Sequence, residues 1–118
     1  MNPPPFPPAV RIIRLGAARH IHVAELGAGP PVLLLHGGGP GASGLSNYTR
    51  NMQALASRHR VIVPDMPGYG RSSKAVNAED PFGDLASAML GLLDALDVEH
   101  AHLVGNSLGG ACALRQRR

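Results

Sequence analysis

Gly105-Asn106-Ser107-Leu108-Gly109 is the segment of this chain best suited to chemistry. A serine with glycines two positions before and two after can occupy a sharp turn between a strand and a helix, where bulkier neighbours would collide. Such a turn presents the Ser107 Oγ outward, and the first N–H groups of the following helix face the same point. That is a layout for nucleophilic acyl transfer: a hydroxyl attacks, and amide hydrogens take up the charge on the oxygen. A Gly-Ser turn with no catalytic part can carry the same five residues, so the pentapeptide does not decide by itself.

His36-Gly37-Gly38-Gly39-Pro40-Gly41 adds a second constellation, directly after the apolar run Val32 to Leu35. Glycines let a backbone N–H approach a reacting oxygen, and Gly38 and Leu108 are the expected donor pair. One lost donor of this kind typically costs about 3 to 4 kcal/mol of transition-state stabilisation. A competing reading takes Gly37, Gly39 and Ala42 as a dinucleotide fingerprint, with Asp65 gripping a ribose. Pro40 interrupts that turn, the next helix starts too late for it, and Ser107 is left unexplained. No Gly-Lys-Ser or Gly-Lys-Thr phosphate loop is present in the sequence.

The elements that must position these segments follow from periodicity. Val10 to Leu15 and Arg19 to Leu26 are β-prone runs around Gly16-Ala17 and predict an opening hairpin. Val32 to Leu35 and Val61 to Val63 predict short buried strands, and His102 to Val104 a third short strand. Between them lie a helix over Asn47 to Ala56, with Ser46 available as its cap, and a second over about Asp84 to Leu96. Leu85, Met89, Leu92, Leu93 and Leu96 share one face of the second helix. Another helix starts at Leu108. Apolar strands alternating with helices imply an α/β fold with a mostly parallel sheet covered on both sides. Residues 1–9 read as a Pro-rich disordered arm, with five prolines among the first eight residues, and 10–118 as one domain.

The chain resembles α/β-hydrolases and, within them, the meta-cleavage product hydrolases that break carbon–carbon bonds in aromatic ring degradation. The likeness runs from about Ile21 to Leu114. Its carriers are His36 to Ala42 read as HGGGPGA, Ser46-Asn47-Tyr48 with Arg50-Asn51, Asp65-Met66-Pro67-Gly68-Tyr69-Gly70-Arg71-Ser72, and Gly105 to Ala111 read as GNSLGGA. The resemblance implies 2-hydroxy-6-oxo-hexa-2,4-dienoate substrates, hydrolysed without a cofactor to a hydroxypentadienoate and a carboxylic acid. It casts Ser107 as nucleophile and gives Gly37, Gly39, Asn47 and Asn106 to substrate binding. Leu45 stands where related sequences often carry an aromatic residue. Epoxide hydrolases and haloalkane dehalogenases put Asp at the turn, so Ser107 argues against both. A general carboxylesterase of the same fold and a non-catalytic interaction module are the alternatives.

In this superfamily an acid and then a histidine follow the serine along the chain. Leu108 to Arg118 contain neither, so the chain is expected to be a truncated hydrolase, inactive by itself, without its lid and later strands. All six histidines precede Ser107. His36 is expected to hold its loop, Asp65 to stabilise a turn, and the other histidines to be surface or satisfied polar groups.

Composition narrows the partners. The net charge of +3 in 118 residues vanishes without Arg115, Arg117 and Arg118, so there is no basic face for nucleic acid. Tryptophan is absent and aromatics make up 3%, which leaves few platforms for stacking bases. No apolar segment has membrane length, nor does any charged n-region open the chain. Cys112 is the only cysteine, which excludes an internal disulfide and zinc spacing and fits a reducing cytoplasm. A small-molecule substrate is the expected partner, with no cofactor or metal; homo-oligomerisation of a full-length form stays open.

Overall fold

The computed structural model describes residues 8–38 and 41–105, with the backbone alone at Asn47 and Thr49. Five strands form one sheet in the order β1-β2-β4-β3-β5, where β1 is Ala9–Leu15, β2 Arg19–Leu26, β3 Pro31–Leu35, β4 Arg60–Pro64 and β5 His102–Gly105. The predicted hairpin is there: β1 pairs antiparallel with β2 through the Gly16-Ala17 turn. β2 also runs antiparallel to β4, while β3 is parallel to both β4 and β5. The sheet is therefore mixed, a parallel core with the hairpin added at one side.

Two helices cover opposite faces, and the strands show why their apolar runs are continuous rather than alternating. α1 (Gly44–Ala56) packs on Ala24, Leu26, Val32, Leu34, Val61 and Val63. α2 (Pro81–Ala95) packs on Ile21, Val23, Leu33, Leu35 and Ile62. Successive residues of β3 and β4 thus feed different cores, and the runs Val32 to Leu35 and Val61 to Val63 are apolar throughout. The connection β3-α1-β4 steps one way across the sheet and β4-α2-β5 steps back past β3. Crossovers of one hand travelling in opposite directions put their helices on opposite faces. The loops leaving β3 and β4 consequently splay apart, which opens a crevice at the carboxyl ends of these strands.

Both helices begin earlier than their spacing predicts. α1 starts at Gly44, and Ser43 rather than Ser46 is its cap. The Ser43 side chain accepts from the Ser46 N–H at 3.1 Å, and Ser46 Oγ accepts from the Ser43 N–H at 2.9 Å, a reciprocal capping box. α2 starts at Pro81, with Asp80 accepting from the Gly83 N–H at 3.2 Å. Proline suits the first helical position, where no donor is needed. Phe82 and Gly83 hide the start because they carry no core-facing repeat.

α2 ends in a Schellman motif: Val98 N–H donates to the Leu93 carbonyl at 2.8 Å and Asp97 N–H to that of Asp94 at 3.1 Å. Asp97 sits there with φ +60°, the only non-glycine at positive φ among the described residues. Asp97→Gly is expected to stabilise the chain by about 1 kcal/mol by removing the Cβ penalty. A raised thermal midpoint checks it, and an unchanged or lowered one counts against it.

Candidate active site

The carboxyl ends of β3 and β4 carry the polar groups that the sequence singled out. His36 follows β3 and is fully buried. Its Nε2 accepts the Met66 N–H at 2.9 Å, so that nitrogen carries no proton. The proton then resides on Nδ1, which donates to the Gly37 carbonyl at 2.8 Å. Burial pushes the His36 pKa down, against smaller opposing effects of the Gly37 carbonyl and Asp65. A neutral ring with a fixed tautomer is thus built into the loop, and the Tyr69 ring packs edge-on against it at 5.1 Å. This is the loop-holding role expected of His36.

One consequence reaches the backbone. In a trans peptide the C=O and N–H point in opposite directions. Because the Gly37 carbonyl is turned onto the His36 ring, the Gly38 N–H points away from it, and Gly38 is exposed. A donor held this way can meet an anionic oxygen without first reorienting.

Asp65, at the end of β4, gathers the neighbouring loops. Its Oδ1 accepts the N–H of Gly44, the first residue of α1, at 2.9 Å. Its Oδ2 accepts the Arg71 N–H and His22 Nδ1, each at 3.1 Å. The Ser72 hydroxyl donates to the Asp65 carbonyl and accepts the His22 N–H at 2.9 Å. The loop curls so tightly that a Cβ at Gly70, where φ is +51°, would collide with the Asp65 carboxylate. Asp65 is thereby a turn organiser, as expected.

Tyr48 was not singled out for a role by its sequence. Its hydroxyl donates to the Leu35 carbonyl at 2.7 Å from a buried position on α1, and burial raises its pKa. The last carbonyl of β3 is thus pinned just before His36. His22 was likewise read only as a satisfied polar group. Its pairing with Asp65 across 43 positions leaves no local signal; the sole clue was the run of small and turn-forming residues from Pro67 to Ser73.

β5 supplies the remaining element. Its parallel register sets Val32 beside His102 and Leu35 beside Gly105. Gly105 is the first residue of the serine pentapeptide, and Leu35 is the residue before His36. Asn106, Ser107, Leu108 and Gly39 lie outside the described residues. Asn47 lies in the first turn of α1, and Leu45 is half-buried against the α1-side core. Among the described residues, no group of three or more His, Cys, Asp or Glu could hold a metal ion. No helix among them is long and apolar enough to cross a membrane.

A mixed sheet with an opening hairpin, helices on both faces and a His-Gly-Gly loop beside the strand that enters G-x-S-x-G define the class. The chain belongs to the α/β-hydrolase fold family, whose model matches residues 30–115. It is 50% identical over 95 residues to 2-hydroxy-6-oxo-6-phenylhexa-2,4-dienoate hydrolase of Burkholderia cepacia, covering 80% of this chain and 33% of that protein. The chain thus spans about a third of the length of this relative. A serine hydrolase from the polyaromatic hydrocarbon-degrading bacterium Cycloclasticus zankles superposes with a TM-score of 0.85 at 31% identity, over 92% of this chain and 40% of that one. A meta-cleavage product hydrolase from Pseudomonas fluorescens IP01 gives 0.78 at 37% identity, over 83% and 36%.

Proposed function

We propose that this chain carries the nucleophile and the oxyanion-binding side of a serine hydrolase that cleaves a carbon–carbon bond in 2-hydroxy-6-oxo-hexa-2,4-dienoates. The observation that supports this most is the pairing of Leu35 with Gly105, because it brings together the strand ends that lead into the two motifs. In this reading Ser107 Oγ attacks the acyl carbon, and the N–H groups of Gly38 and Leu108 hold the resulting oxyanion. Gly37, Gly39, Asn47 and Asn106 bind and orient the dienoate. Water supplies a hydroxyl to the acyl carbon and a proton to the dienoate carbon, so the products are a carboxylic acid and a hydroxypentadienoate. That sum is redox-neutral, and no cofactor enters the proposal. A cytoplasmic setting, where a lone thiol such as Cys112 stays reduced, belongs to the same reading.

A serine hydroxyl needs a neighbouring base, and Leu108 to Arg118 contain no histidine or acid. The 118 residues alone are therefore expected to consume the dienoate at background rate, followed by loss of its chromophore. The decisive test joins them to the part of the Burkholderia cepacia relative that the match leaves uncovered. The hybrid should cleave the phenyl-substituted dienoate, and Ser107→Ala should abolish the turnover. A folded but inert hybrid, or one indifferent to Ser107→Ala, refutes the proposal; cleavage of p-nitrophenyl esters but not dienoates moves it to a carboxylesterase.

A further inference from the structure

The crevice between the splayed loops of β3 and β4 has a volume of about 810 Å³. Its walls include Ala42 from the loop after β3, Tyr69, Lys74 and Val76 from the loop after β4, and Leu85 from α2. Apart from the Tyr69 phenol, Lys74 is the only ionisable side chain among these lining residues. It is exposed, and its Nζ donates to the Gly70 carbonyl, which holds the ammonium at the pocket's edge. The nearest acids on α2 are otherwise engaged. Asp80 accepts from the Gly83 N–H. Asp84 is bound by Arg19 at 2.6 Å and by the Asn77 N–H at 2.9 Å, and the Arg19 hydrogen bond chiefly holds its carboxyl below the usual range. An apolar pocket with a lysine ammonium at its edge favours a ligand with an apolar body and a single negative charge.

We infer that this pocket binds a small aryl carboxylate, the class of acid that hydrolysis of a phenyl-substituted dienoate releases. The choice of acid rests on the function proposed above; the pocket's preference for an apolar anion does not. Tyr69 supplies an aromatic wall for the ring, and its edge contact with His36 joins the pocket to the loop that carries Gly38. Gly41 and Ala42, at the end of that loop, also line the pocket. The pocket is thus a site for the acid product next to the proposed oxyanion hole.

Sodium benzoate titrated into the 118-residue chain should move the Tyr69 ring and Lys74 methylene resonances along one saturable isotherm. Lys74→Met keeps the apolar stem and removes the charge, and should weaken binding about fivefold, the scale of one partly exposed ion pair. Val76→Trp should block binding by filling the pocket, and added salt should weaken it in the wild type but not in Lys74→Met. Benzyl alcohol, with the ring and no charge, should bind the two alike. Absence of a saturable isotherm, or equal benzoate affinity in wild type and Lys74→Met, overturns the inference. Saturable, Lys74-dependent binding alongside an inert hybrid enzyme would remove the dienoate reading and leave the pocket standing.

Discussion

Asp65→Ala is expected to lower the stability of this chain by about 3 to 6 kcal/mol, a large share of the roughly 5 to 15 kcal/mol that holds a small domain together. The carboxylate accepts from three donors, and two of these, the Gly44 N–H and His22 Nδ1, are buried. Alanine removes the acceptor of both. The Gly44 N–H is also one of the free amides at the start of α1, where a negative charge is favoured by the helix dipole. A Cβ at Gly44 would stand 2.6 Å from the Pro64 carbonyl, so α1 has no slack with which to find another acceptor. Asp65→Asn keeps the shape but turns an NH₂ toward one set of donors, and should cost about half as much. Urea unfolding of the two variants reads both numbers. An Asp65→Ala midpoint matching wild type would mean that the loops do not depend on this carboxylate.

The same residue shows how far the sequence could be read. Local signals carried most of the fold: every strand predicted between residues 10 and 105 is present, each shifted by no more than a residue or so at its ends. Strands buried on both faces announce themselves as unbroken apolar runs, and Val32 to Leu35 and Val61 to Val63 are such runs. Helix starts were less legible, because Ser43 and Asp80 act through single side-chain bonds that leave no periodic trace. The roles of His36 and Asp65 were legible as types, a loop holder and a turn organiser. Their partners were not, since Met66, Gly44 and His22 are brought to them by the sheet from 21 to 43 positions away. Tyr48 escaped for the same reason: a tyrosine on an amphipathic helix looks like core until its hydroxyl is seen against the Leu35 carbonyl.

His36 should make stability depend on pH in a direction fixed by its burial. Its folded pKa lies below the ordinary value of 6.5, because the buried ring resists a charge. The unfolded ring takes up a proton at its ordinary value, so acid favours unfolding. The contribution is fully present above pH 6.5 and drains away as pH falls toward the folded value, at no more than about 1.4 kcal/mol per pH unit for one proton. Protonation also removes the only lone pair that accepts the Met66 N–H, so charging the ring breaks the contact between the two loops. His36→Gln can still offer an acceptor to Met66 but does not titrate, and should flatten the stability profile between pH 6.5 and the wild-type folded pKa. His36→Ala should cost about 3 to 5 kcal/mol at neutral pH, since it leaves a cavity and takes the acceptor from the Met66 N–H. The Gly38 N–H then loses its fixed direction, and its amide resonance should broaden or split in His36→Ala while the amides of α2 stay sharp. A glutamine variant with the full wild-type pH slope would place the titration elsewhere in the chain.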